Sequence, residues 1–585
     1  LRVLEARYLL RDAHGQIIET PEQLLERVAS SVARAEEAYG GQAAVDAAAA
    51  EFHELMASLE FLPNSPTLMN AGTPLGQLSA CFVLPVHDSM ADIFDTLKLA
   101  ALIQQSGGGV GFSFSELRPK GDRVASTGGM ASGPVSFMKI FDAATEHIRQ
   151  GGKRRGANMG VLRIDHPDIE SFIDAKRDGT SLRNFNLSVG VVDAFMQSVA
   201  DDRPWPLIHP RTGDVVGTRP ARALFEAICE AAWATGDPGM LFLETIEAAN
   251  PTPQLGRIEA TNPCGEVPLL PYEACNLGSI HLGRMVRENT SVDTPAIDWQ
   301  RLAHVTRWAI RFLDDVIDVS RYPDDRITRM VRGNRKVGLG VMGFAELLLR
   351  MRIPYSSERA VEVAEELMRF VATEAHRASE ELAHERGAFP HWKGSRLEAA
   401  GIVRRNATCT SVAPTGTIGI LAGTTPSIEP LFALAYRRSH VLEGETLWEL
   451  NPLLEPMARA YGLPVEPLVT HVRRHGTLEG CSVATDEFRE LFRTALEIPP
   501  EQHLRIQAAF QRHVDNAVSK TVNLPHDAPV DAIARIYERA WEWKLKGVTV
   551  YRYGSLKQQV LELGEGETAW EREHEARCDP HACKL

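Results

Sequence analysis

The stretch Thr261-Asn-Pro-Cys-Gly-Glu-Val267 decides how this 585-residue chain is interpreted. In an extended segment, residues two apart project to the same side, so Asn262, Cys264 and Glu266 are expected to share one face. They would place a thiol between a carboxamide and a carboxylate, a set that suits chemistry on a polyol. A buried cysteine that only packs is the alternative, and the spacing alone leaves it open. Cys275 follows without the close ligand pairs of structural zinc, so a zinc site is disfavoured.

The composition is typical of a globular protein with a small-molecule substrate. The length predicts several domains or one very large one. A net charge of −14 argues against a broad electrostatic grip on nucleic acid or on an anionic membrane. Eight cysteines, and an N-terminus without a secretion signal, predict a cytoplasmic protein. The longest uncharged run, between Arg405 and Glu429, is filled with Thr, Ser, Pro and Gly, so no membrane span is expected.

Changes in composition divide the chain into three predicted regions. Residues 1–60 read as a helical domain, in which Thr20-Pro-Glu-Gln23 resembles a capping box and Gly40-Gly41 supplies a stop. Residues 61–554 alternate glycine-rich turns with short apolar runs and helical stretches, which predicts an α/β body. Residues 555–585 are polar and charged and are expected to form a flexible C-terminal tail.

Four further motifs occur in an order that matches a known family. They are Phe61-Leu-Pro-Asn-Ser-Pro-Thr-Leu-Met-Asn-Ala-Gly72, Leu78-Ser-Ala-Cys81, Gly151-Gly-Lys-Arg-Arg-Gly-Ala-Asn-Met-Gly160 and Ala413-Pro-Thr-Gly-Thr-Ile418. Together with the Cys264 stretch and Cys275-Asn-Leu-Gly-Ser, they resemble class II ribonucleotide reductases, which depend on adenosylcobalamin. In this resemblance the segment 61–72 is the first barrel strand, and the motif that follows it carries a redox cysteine, Cys81. The resemblance runs from about Val3 to Tyr553, and it resolves the ambiguity at Cys264 in favour of a functional site.

The resemblance implies a fold and a reaction. The fold is a ten-stranded α/β barrel built from two antiparallel sets of five parallel strands, behind the N-terminal helical domain. The loop that carries Cys264 would thread the centre of the barrel, where water and stray thiols are excluded. The expected reaction is reduction of ribonucleotides, with diphosphates favoured, and the expected source of the radical is adenosylcobalamin.

The resemblance also implies the roles of five catalytic residues. Cys264 would be the thiyl radical that abstracts the 3′ hydrogen of the ribose. Glu266 would be the base for the 3′ hydroxyl, and Asn262 would bind the sugar hydroxyls. Cys81 and Cys275 would supply two electrons and a proton, and would finish as a disulfide, so their Cα atoms must lie within about 7 Å.

A second cysteine pair lies at the end of the chain. Cys578 and Cys583 resemble the tail pair that re-reduces the active-site disulfide by thiol exchange, before a thioredoxin-like reductant restores the tail. An idle terminus, or a weak metal ligand set with His581, remains the alternative. No metal ligand is predicted among the site residues.

The resemblance also implies contacts with the substrate phosphate and with an effector. Phosphate contacts are expected from hydroxyls and backbone N–H groups at Ser65, Thr67, Ser79, Thr415, Gly416 and Thr417. A deoxyribonucleoside triphosphate effector is expected to contact Asp88, Lys153, Arg154 and Arg155, with the loop Arg123–Gly133 as companion. Monomeric members of the family that this chain resembles carry extra structure between Asp88 and Gly152. No insertion interrupts that region here, so the resemblance favours a homodimer.

Three competing interpretations and one misleading motif are disfavoured by the sequence. A class I-type large subunit receives its radical from a partner through adjacent tyrosines near the C-terminus, and has leucine before the radical cysteine. Here Pro263 precedes the cysteine, and Tyr551 and Tyr553 are separated, so this alternative is disfavoured. A glycyl-radical lyase is disfavoured because the sequence does not show the Arg-Val-x-Gly-Tyr-like motif expected near the C-terminus of that class. A catalytically silent nucleotide-binding regulator would not need the complete active site. Gly338-Leu-Gly-Val-Met-Gly343 fits a dinucleotide fingerprint but follows a polar segment, so it is interpreted as a helix–strand packing turn.

Overall fold

The computed structural model describes residues 2–123, 128–150, 154–287, 296–442, 445–555 and 561–563. Within this part of the chain, none of the helices is both long and apolar enough to cross a bilayer. The architecture is a helical N-terminal region followed by a large α/β body.

The N-terminal region contains helices α1 (Arg2–Arg7), α2 (Pro21–Ala33) and α3 (Glu37–Ala57). The predicted capping box is present at the start of α2: Thr20 Oγ1 accepts from the Gln23 N–H, and the Gln23 side chain accepts from the Thr20 N–H. The predicted glycine stop is only a kink, because the chain passes through Gly41 in the left-handed region (φ 68°) and then resumes its helix.

Ten strands share one sheet at the centre of the molecule. In chain order they are β1 (Phe61–Pro63), β2 (Cys81–Pro85), β3 (Gly109–Ser113), β4 (Asn158–Arg163), β5 (Phe185–Val191), β6 (Gly239–Phe242), β7 (Ala274–His281), β8 (Val337–Met342), β9 (Thr521–Leu524) and β10 (Gly547–Arg552). Strands β2 to β6 are parallel to one another in that order. They form the first half of the predicted barrel.

The second half is also parallel, and it contains a segment, 408–412, that joins β8 to β9. Leu339 on β8 exchanges backbone hydrogen bonds with this segment, donating to Cys409 O (2.8 Å) and accepting from the Ser411 N–H (3.0 Å). On the other side of the segment, the Val412 N–H donates to Ala517 O (3.1 Å), just before β9. Strand β7 pairs with β8, and β9 pairs with β10, both in parallel.

The two halves meet at two antiparallel junctions. Strand β7 pairs with β2, and β10 pairs with β6. The hydrogen bonds therefore run around a ring of two antiparallel sets of five parallel strands, and the predicted fold class is confirmed.

Helices surround the ring, and the strands are buried on both faces, as is usual for parallel sheets. The helices of the body are Ser65–Asn70, Met90–Gln105, Pro134–His147, Ile169–Ile173, Asp193–Ala200, Ala221–Thr235, Leu243–Ala248, Trp299–Val319, Asp325–Asn334, Phe344–Arg350, Glu358–Arg386, Arg396–Ala399, Gly416–Ala422, Leu454–Ala460, Val465–His475, Asp486–Leu491, Pro500–Gln511 and Val530–Glu542. Short antiparallel hairpins lie outside the ring of strands, such as Pro204–Ile208 with Val215–Pro220.

Two details of the sequence interpretation are wrong. The segment 61–72 was assigned to the first barrel strand, but only β1 is extended, and it lies beside the end of β7 rather than in the ring. Asn64 then caps the helix Ser65–Asn70 by accepting from the Thr67 N–H (3.0 Å), which ends the strand. Gly338 and Gly340 lie inside strand β8 and not in a packing turn.

Gly338 and Gly340 of β8 leave space for the neighbouring strands. A Cβ on Gly340 would lie 2.2 Å from Ser411 O, and one on Gly338 would lie 2.4 Å from Leu277 Cδ2. Neighbouring strands therefore approach β8 more closely than side chains allow. This packing, and not a dinucleotide, explains the glycine pattern.

Candidate active site

The central hairpin, residues 260–269, carries Cys264. Its short strands, Ala260–Thr261 and Pro268–Leu269, pair antiparallel, and the Gly265 N–H donates to Asn262 O (3.0 Å) to close a turn. Gly265 has a φ of 83°, in the region that favours glycine. Proline followed two residues later by glycine is typical of such a turn.

The turn changes the predicted arrangement of the three polar side chains. Asn262, Cys264 and Glu266 do not project from one face of an extended strand. Cys264 is exposed at the tip of the hairpin, whereas Asn262 and Glu266 are buried at its base. The thiol is therefore presented to a cavity, and the carboxamide and carboxylate face the inside of the barrel.

Strand β3 makes room for the hairpin by having no side chains where the hairpin crosses it. A Cβ on Gly111 would lie 1.7 Å from Thr261 O, and one on Gly109 would lie 2.9 Å from Pro263 Cγ. Asn186 on β5 fixes the tip, because its Nδ2 donates to Pro263 O (2.7 Å).

The opposite half of the barrel holds the other side of the hairpin. The backbone oxygen of Glu266 accepts from Ser411 Oγ (2.8 Å) and from the Ala517 N–H (2.9 Å). Both halves of the barrel therefore anchor the hairpin. Its geometry depends on the complete ring.

Four of the five predicted catalytic side chains converge at the base of the hairpin. Asn262 Nδ2 lies 2.8 Å from Glu266 Oε2 and 3.1 Å from Cys81 Sγ, so one amide links the carboxylate to a thiol. Asn262 Oδ1 accepts from the Val267 N–H (3.0 Å), which fixes the orientation of the amide. Cys275 is the direct partner of Cys81 across the β2–β7 junction.

The register of that junction is what a reversible disulfide needs. Antiparallel partners have Cα atoms about 4.5–5.5 Å apart, and disulfides span Cα distances of about 4.4–6.8 Å. Cys81 and Cys275 are both buried and are not joined to each other. A bond between them requires only side-chain rotation.

Burial keeps both thiols protonated. It raises the pKa of Cys81 well above its ordinary value, and the Glu266 carboxylate and the neighbouring thiols raise it further. Burial also raises the pKa of Cys275, although Lys336 opposes the shift. The pair is therefore a neutral dithiol at neutral pH, a form that can give up protons and hydrogen atoms.

A cavity of about 1360 Å³ opens above Cys264. Its wall includes the hairpin tip, parts of β5, β6 and β10, and the chain between Gly416 and Ala433. It is large enough for a nucleotide beside a second group, because most small-molecule sites measure about 300–1,000 Å³.

Two of the six predicted phosphate contacts line this cavity, namely Gly416 and Thr417. The other four side chains lie elsewhere in the described part of the chain. Ser65 Oγ bonds to Tyr8 Oη (2.8 Å), Thr67 Oγ1 donates to Leu78 O (3.0 Å), Ser79 is fully buried, and Thr415 Oγ1 accepts from the Ser427 N–H (2.7 Å).

Sequence reasoning missed three residues near the site: Arg7, Asn186 and Ser411. Asn186 could have been noticed in the sequence, because it is a polar residue in the largely apolar run Phe185–Val191, and the structure shows it exposed. Ser411 and Arg7 left none, since their roles depend on neighbours far away in the chain.

The predicted effector and tail residues are only partly described. Asp88 accepts from Arg118 Nε at 3.1 and 2.9 Å, just before the helix Met90–Gln105. Arg154 and Arg155 form a short strand that pairs antiparallel with residues 149–150. The side chains of Arg154 and Arg155 lie outside the described part of the chain, as does the whole of Lys153. Cys578 and Cys583 also lie outside the described residues.

Comparisons with known proteins agree over nearly the whole chain. The ribonucleotide reductase barrel-domain model matches residues 79–551, and the ribonucleotide reductase all-alpha-domain model matches residues 1–76. A vitamin B12-dependent ribonucleoside-diphosphate reductase of Mycobacterium tuberculosis is 54% identical, covering 96% of this chain and 80% of that protein. One of Thermoplasma acidophilum with the same name is 48% identical, covering 98% and 81%.

A solved structure agrees at the level of the fold. The alpha subunit of an Actinobacillus ureae class Id ribonucleotide reductase superposes with a TM-score of 0.75. The match covers 95% of this chain and 97% of that one, at 24% sequence identity.

Proposed function

This chain belongs to the ribonucleotide reductase family, and we propose that it reduces ribonucleoside diphosphates to 2′-deoxyribonucleoside diphosphates in a reaction that depends on adenosylcobalamin. The observation that carries the proposal is the pairing of Cys81 with Cys275 beneath a hairpin whose tip presents Cys264 to a large cavity. This set of thiols can both start a radical reaction and supply its two electrons.

Each catalytic side chain has one task in the proposed cycle. Cys264, as a thiyl radical, takes the 3′ hydrogen of the ribose, and Glu266 takes the proton of the 3′ hydroxyl. The 2′ hydroxyl leaves as water with a proton from the dithiol. Cys81 and Cys275 supply two electrons and the hydrogen that replaces the hydroxyl at C2′, and they become a disulfide. Glu266 then returns its proton to the 3′ oxygen, and Cys264 returns the hydrogen to C3′.

Asn262 would keep these groups in register. Its amide contacts both Glu266 and Cys81. It can therefore exchange these hydrogen bonds for one to a sugar hydroxyl while it stays at the base of the hairpin. Positioning of this kind lowers the barrier because the reacting atoms start near their bonding distance.

The residues present fit a coenzyme above Cys264. The cavity exceeds the usual volume of a site for one small molecule, and its wall offers apolar side chains, Leu431, Phe432, Leu453 and Val550, that would hold such a group. When bound, adenosylcobalamin supplies the organic radical that oxidises a thiol. The exposed position of Cys264 makes its thiol the accessible one of the three.

The disulfide must be reduced after each turnover. Cys578 and Cys583 would exchange with it, and a thioredoxin-like protein would then reduce the tail pair. A dithiol that must stay reduced between turnovers favours a reducing compartment such as the cytoplasm.

A homodimer that binds a deoxyribonucleoside triphosphate effector is also proposed. The helix Met90–Gln105, which begins two residues after Asp88, exposes the apolar side chains Met90 (60% exposed), Phe94 (46%) and Leu102 (42%), and the helix Pro134–His147 exposes Ile140 (39%). Such a patch fits a second copy of the chain. Phe94→Glu should shift the molar mass measured by light scattering from dimer to monomer, and an unchanged mass would contradict this assignment.

The test of the main proposal is an activity assay on the purified full chain. A ribonucleoside diphosphate is incubated with a dithiol, with and without adenosylcobalamin. Deoxyribonucleotide formed only with the coenzyme supports the proposal. Activity without the coenzyme, or none with it, would overturn it in favour of a radical-generating partner or a silent regulator.

A further inference from the structure

The polar segment 332–336, just before β8, ends in Lys336, which lies next to the dithiol. Strands β7 and β8 run parallel, and their first paired residues are Asn276 and Val337. Cys275 and Lys336 each stand one position earlier, so they are neighbours where this pair of strands begins. On the other side of β7, Cys275 is the partner of Cys81. The two thiols and the lysine therefore occupy one row across the wall of the barrel.

The sulfur of Cys275 lies against β8, the strand that follows Lys336. A Cβ on Gly338 would be 3.5 Å from Cys275 Sγ, so the sulfur packs on that strand. Lys336 precedes Gly338 by two residues, a spacing that places side chains on one face of an extended segment. The side chain of Lys336 and the thiol of Cys275 are therefore on the same face of the sheet.

Glu273 holds the ammonium group of Lys336 in a site without solvent contact. Lys336 Nζ donates to Glu273 Oε2 at 2.7 Å, and both side chains are at most 2% exposed. The carboxylate has further donors, because Oε2 also accepts from the Leu270 N–H (2.7 Å) and Oε1 accepts from Asn334 Nδ2. Among the described residues, Glu273 is the one hydrogen-bond partner of the ammonium group, which has three protons to donate. Glu273 therefore stays hydrogen-bonded when Lys336 interacts with a second negative charge.

The two sulfurs of the dithiol have opposite electrostatic surroundings. Burial raises the pKa of both thiols, but the charged group with the largest effect differs between them. At Cys275 it is Lys336, which lowers the pKa more than Glu273 raises it, and at Cys81 it is Glu266, which raises the pKa. Cys81 is also the more exposed of the two, at 4% against 0%. A negative charge therefore costs less on Cys275, and a reductant reaches Cys81 first.

We infer that Lys336 assists reduction of the Cys81–Cys275 disulfide by stabilising Cys275 as the departing thiolate, an inference that rests on the proposed function. A thiolate of the reductant attacks Cys81 Sγ, the S–S bond breaks, and its electron pair leaves on Cys275 Sγ beside the ammonium group. The second thiolate of the reductant then attacks the mixed disulfide and releases Cys81. The two released sulfurs take up the two protons that the thiols of the reductant have lost.

The cation acts on the rate because a thiol of lower pKa is the better leaving group in disulfide exchange. It also selects the sulfur that is attacked, because departure of Cys81 would place a thiolate beside the Glu266 carboxylate. Lys336 is thus a positioning residue for the reductive half of the cycle, and it acts through Cys275.

The test follows reduction of the disulfide in the full-length protein. The parent carries Cys578→Ser and Cys583→Ser, so that an added thiol is the only reductant. The protein is oxidised with diamide, excess 2-mercaptoethanol is added, and samples are alkylated with iodoacetamide at intervals. Peptide mass spectrometry then gives the rate at which the Cys81–Cys275 cross-link disappears and the sulfur that carries the mercaptoethanol adduct.

The variants separate the charge of Lys336 from its packing. Lys336→Met removes the charge, and Glu273→Gln with Lys336→Met removes it without leaving an unpaired buried carboxylate. Lys336→Arg restores the charge. Lys546→Met is the matched control, because Lys546 is also buried and its ammonium group donates to the backbone oxygens of Asp515 and Asn516.

The cross-link should disappear about tenfold to a hundredfold more slowly in Lys336→Met and in the double variant, because a charge-assisted contact with the departing thiolate is lost. Lys336→Arg should recover much of the rate, and Lys546→Met should match the parent even where it is less stable. The adduct should form on Cys81 in the parent and on both sulfurs in Lys336→Met.

Two results would overturn the inference and leave the proposed function standing. One is an unchanged rate and adduct position in a folded Lys336→Met or double-variant protein. The other is an equal loss of rate in Lys546→Met, which would make the effect one of stability. A wild type without reductase activity that depends on adenosylcobalamin would instead contradict the proposed function.

Discussion

Cys81 on β2 and Cys275 on β7 stand directly opposite each other across one of the two antiparallel junctions of the barrel. The junction is where the two sets of five parallel strands meet, so the pair depends on closure of the ring. Because the register already brings the two residues within disulfide distance, the oxidation that accompanies turnover needs no rearrangement of the backbone.

The first prediction concerns that disulfide. When the protein turns over without an external reductant until the proposed tail pair, Cys578 and Cys583, is also oxidised, Cys81 and Cys275 should become linked, because no further source of two electrons remains. Peptide mass spectrometry under non-reducing conditions would detect the cross-linked pair. Cys229 and Cys481, which are also buried, should remain thiols and serve as internal controls. Product formed without this cross-link would count against the pair as the electron donor.

The second prediction concerns the carboxylate at the base of the hairpin. Glu266→Gln keeps the size of the side chain but cannot accept a proton, so kcat should fall about 10²–10⁴-fold with little change in KM. Steady-state kinetics on a ribonucleoside diphosphate would measure this. Glu259→Gln, in the segment just before the hairpin, should keep near wild-type activity. If Glu266→Gln were equally active, its role as the base would be wrong.

The third prediction concerns the space that β3 leaves for the hairpin. Gly111→Ala should displace the hairpin, because its Cβ would meet the backbone oxygen of Thr261 at 1.7 Å. Turnover should be lost, and the melting temperature should fall. Gly217→Ala lies on an outer hairpin, where its nearest atom would be 3.8 Å away, and it should retain activity. A fully active Gly111→Ala protein would show that the hairpin is not held as described.

The fourth prediction is a pH dependence of stability at the cavity wall. Burial opposes ionisation of Glu346, but His281, Thr424 and Arg350 outweigh it and lower the pKa of Glu346 to about 2. A lowered pKa stabilises the fold above the ordinary carboxyl pKa of 4.5, and this contribution disappears as the pH falls towards 2. Its size is roughly 3 kcal/mol at neutral pH.

Chemical denaturation of Glu346→Gln at several pH values would check this. The variant should be less stable than the wild type at pH 7, and the difference should shrink steadily below the ordinary carboxyl pKa. Glu366→Gln, an exposed change on the helix Glu358–Arg386, should give no such trend. A stability difference that stays constant down to pH 3 would contradict the assigned pKa.

Much of this arrangement could be predicted from sequence, since the family resemblance fixed the fold class and named the cysteines. The turn at Pro263–Gly265 could also have been predicted, because proline and glycine at that spacing favour a turn over the extended segment that was assumed. The capping box at Thr20 was predicted from local chemistry alone, and it is present.

The remaining features depend on contacts between distant parts of the chain. Gly340 fits β8 because Ser411 passes 2.2 Å from where its Cβ would be, and no local pattern announces such an approach. The same holds for Arg7 beside Thr417, which are brought together by docking of α1 onto the body. Packing of this kind is decided by the tertiary fold, and a single sequence does not display it.

The central claim is that Cys264 exchanges a hydrogen atom with the coenzyme. Adenosylcobalamin tritiated at the 5′ carbon is incubated with the protein and effector in water, and the tritium released to solvent is counted. Exchange should occur in the wild type, persist in Cys81→Ser and Cys275→Ser, and vanish in Cys264→Ser. Exchange that survives in Cys264→Ser, or that is absent from a wild type able to bind the coenzyme, would contradict the account.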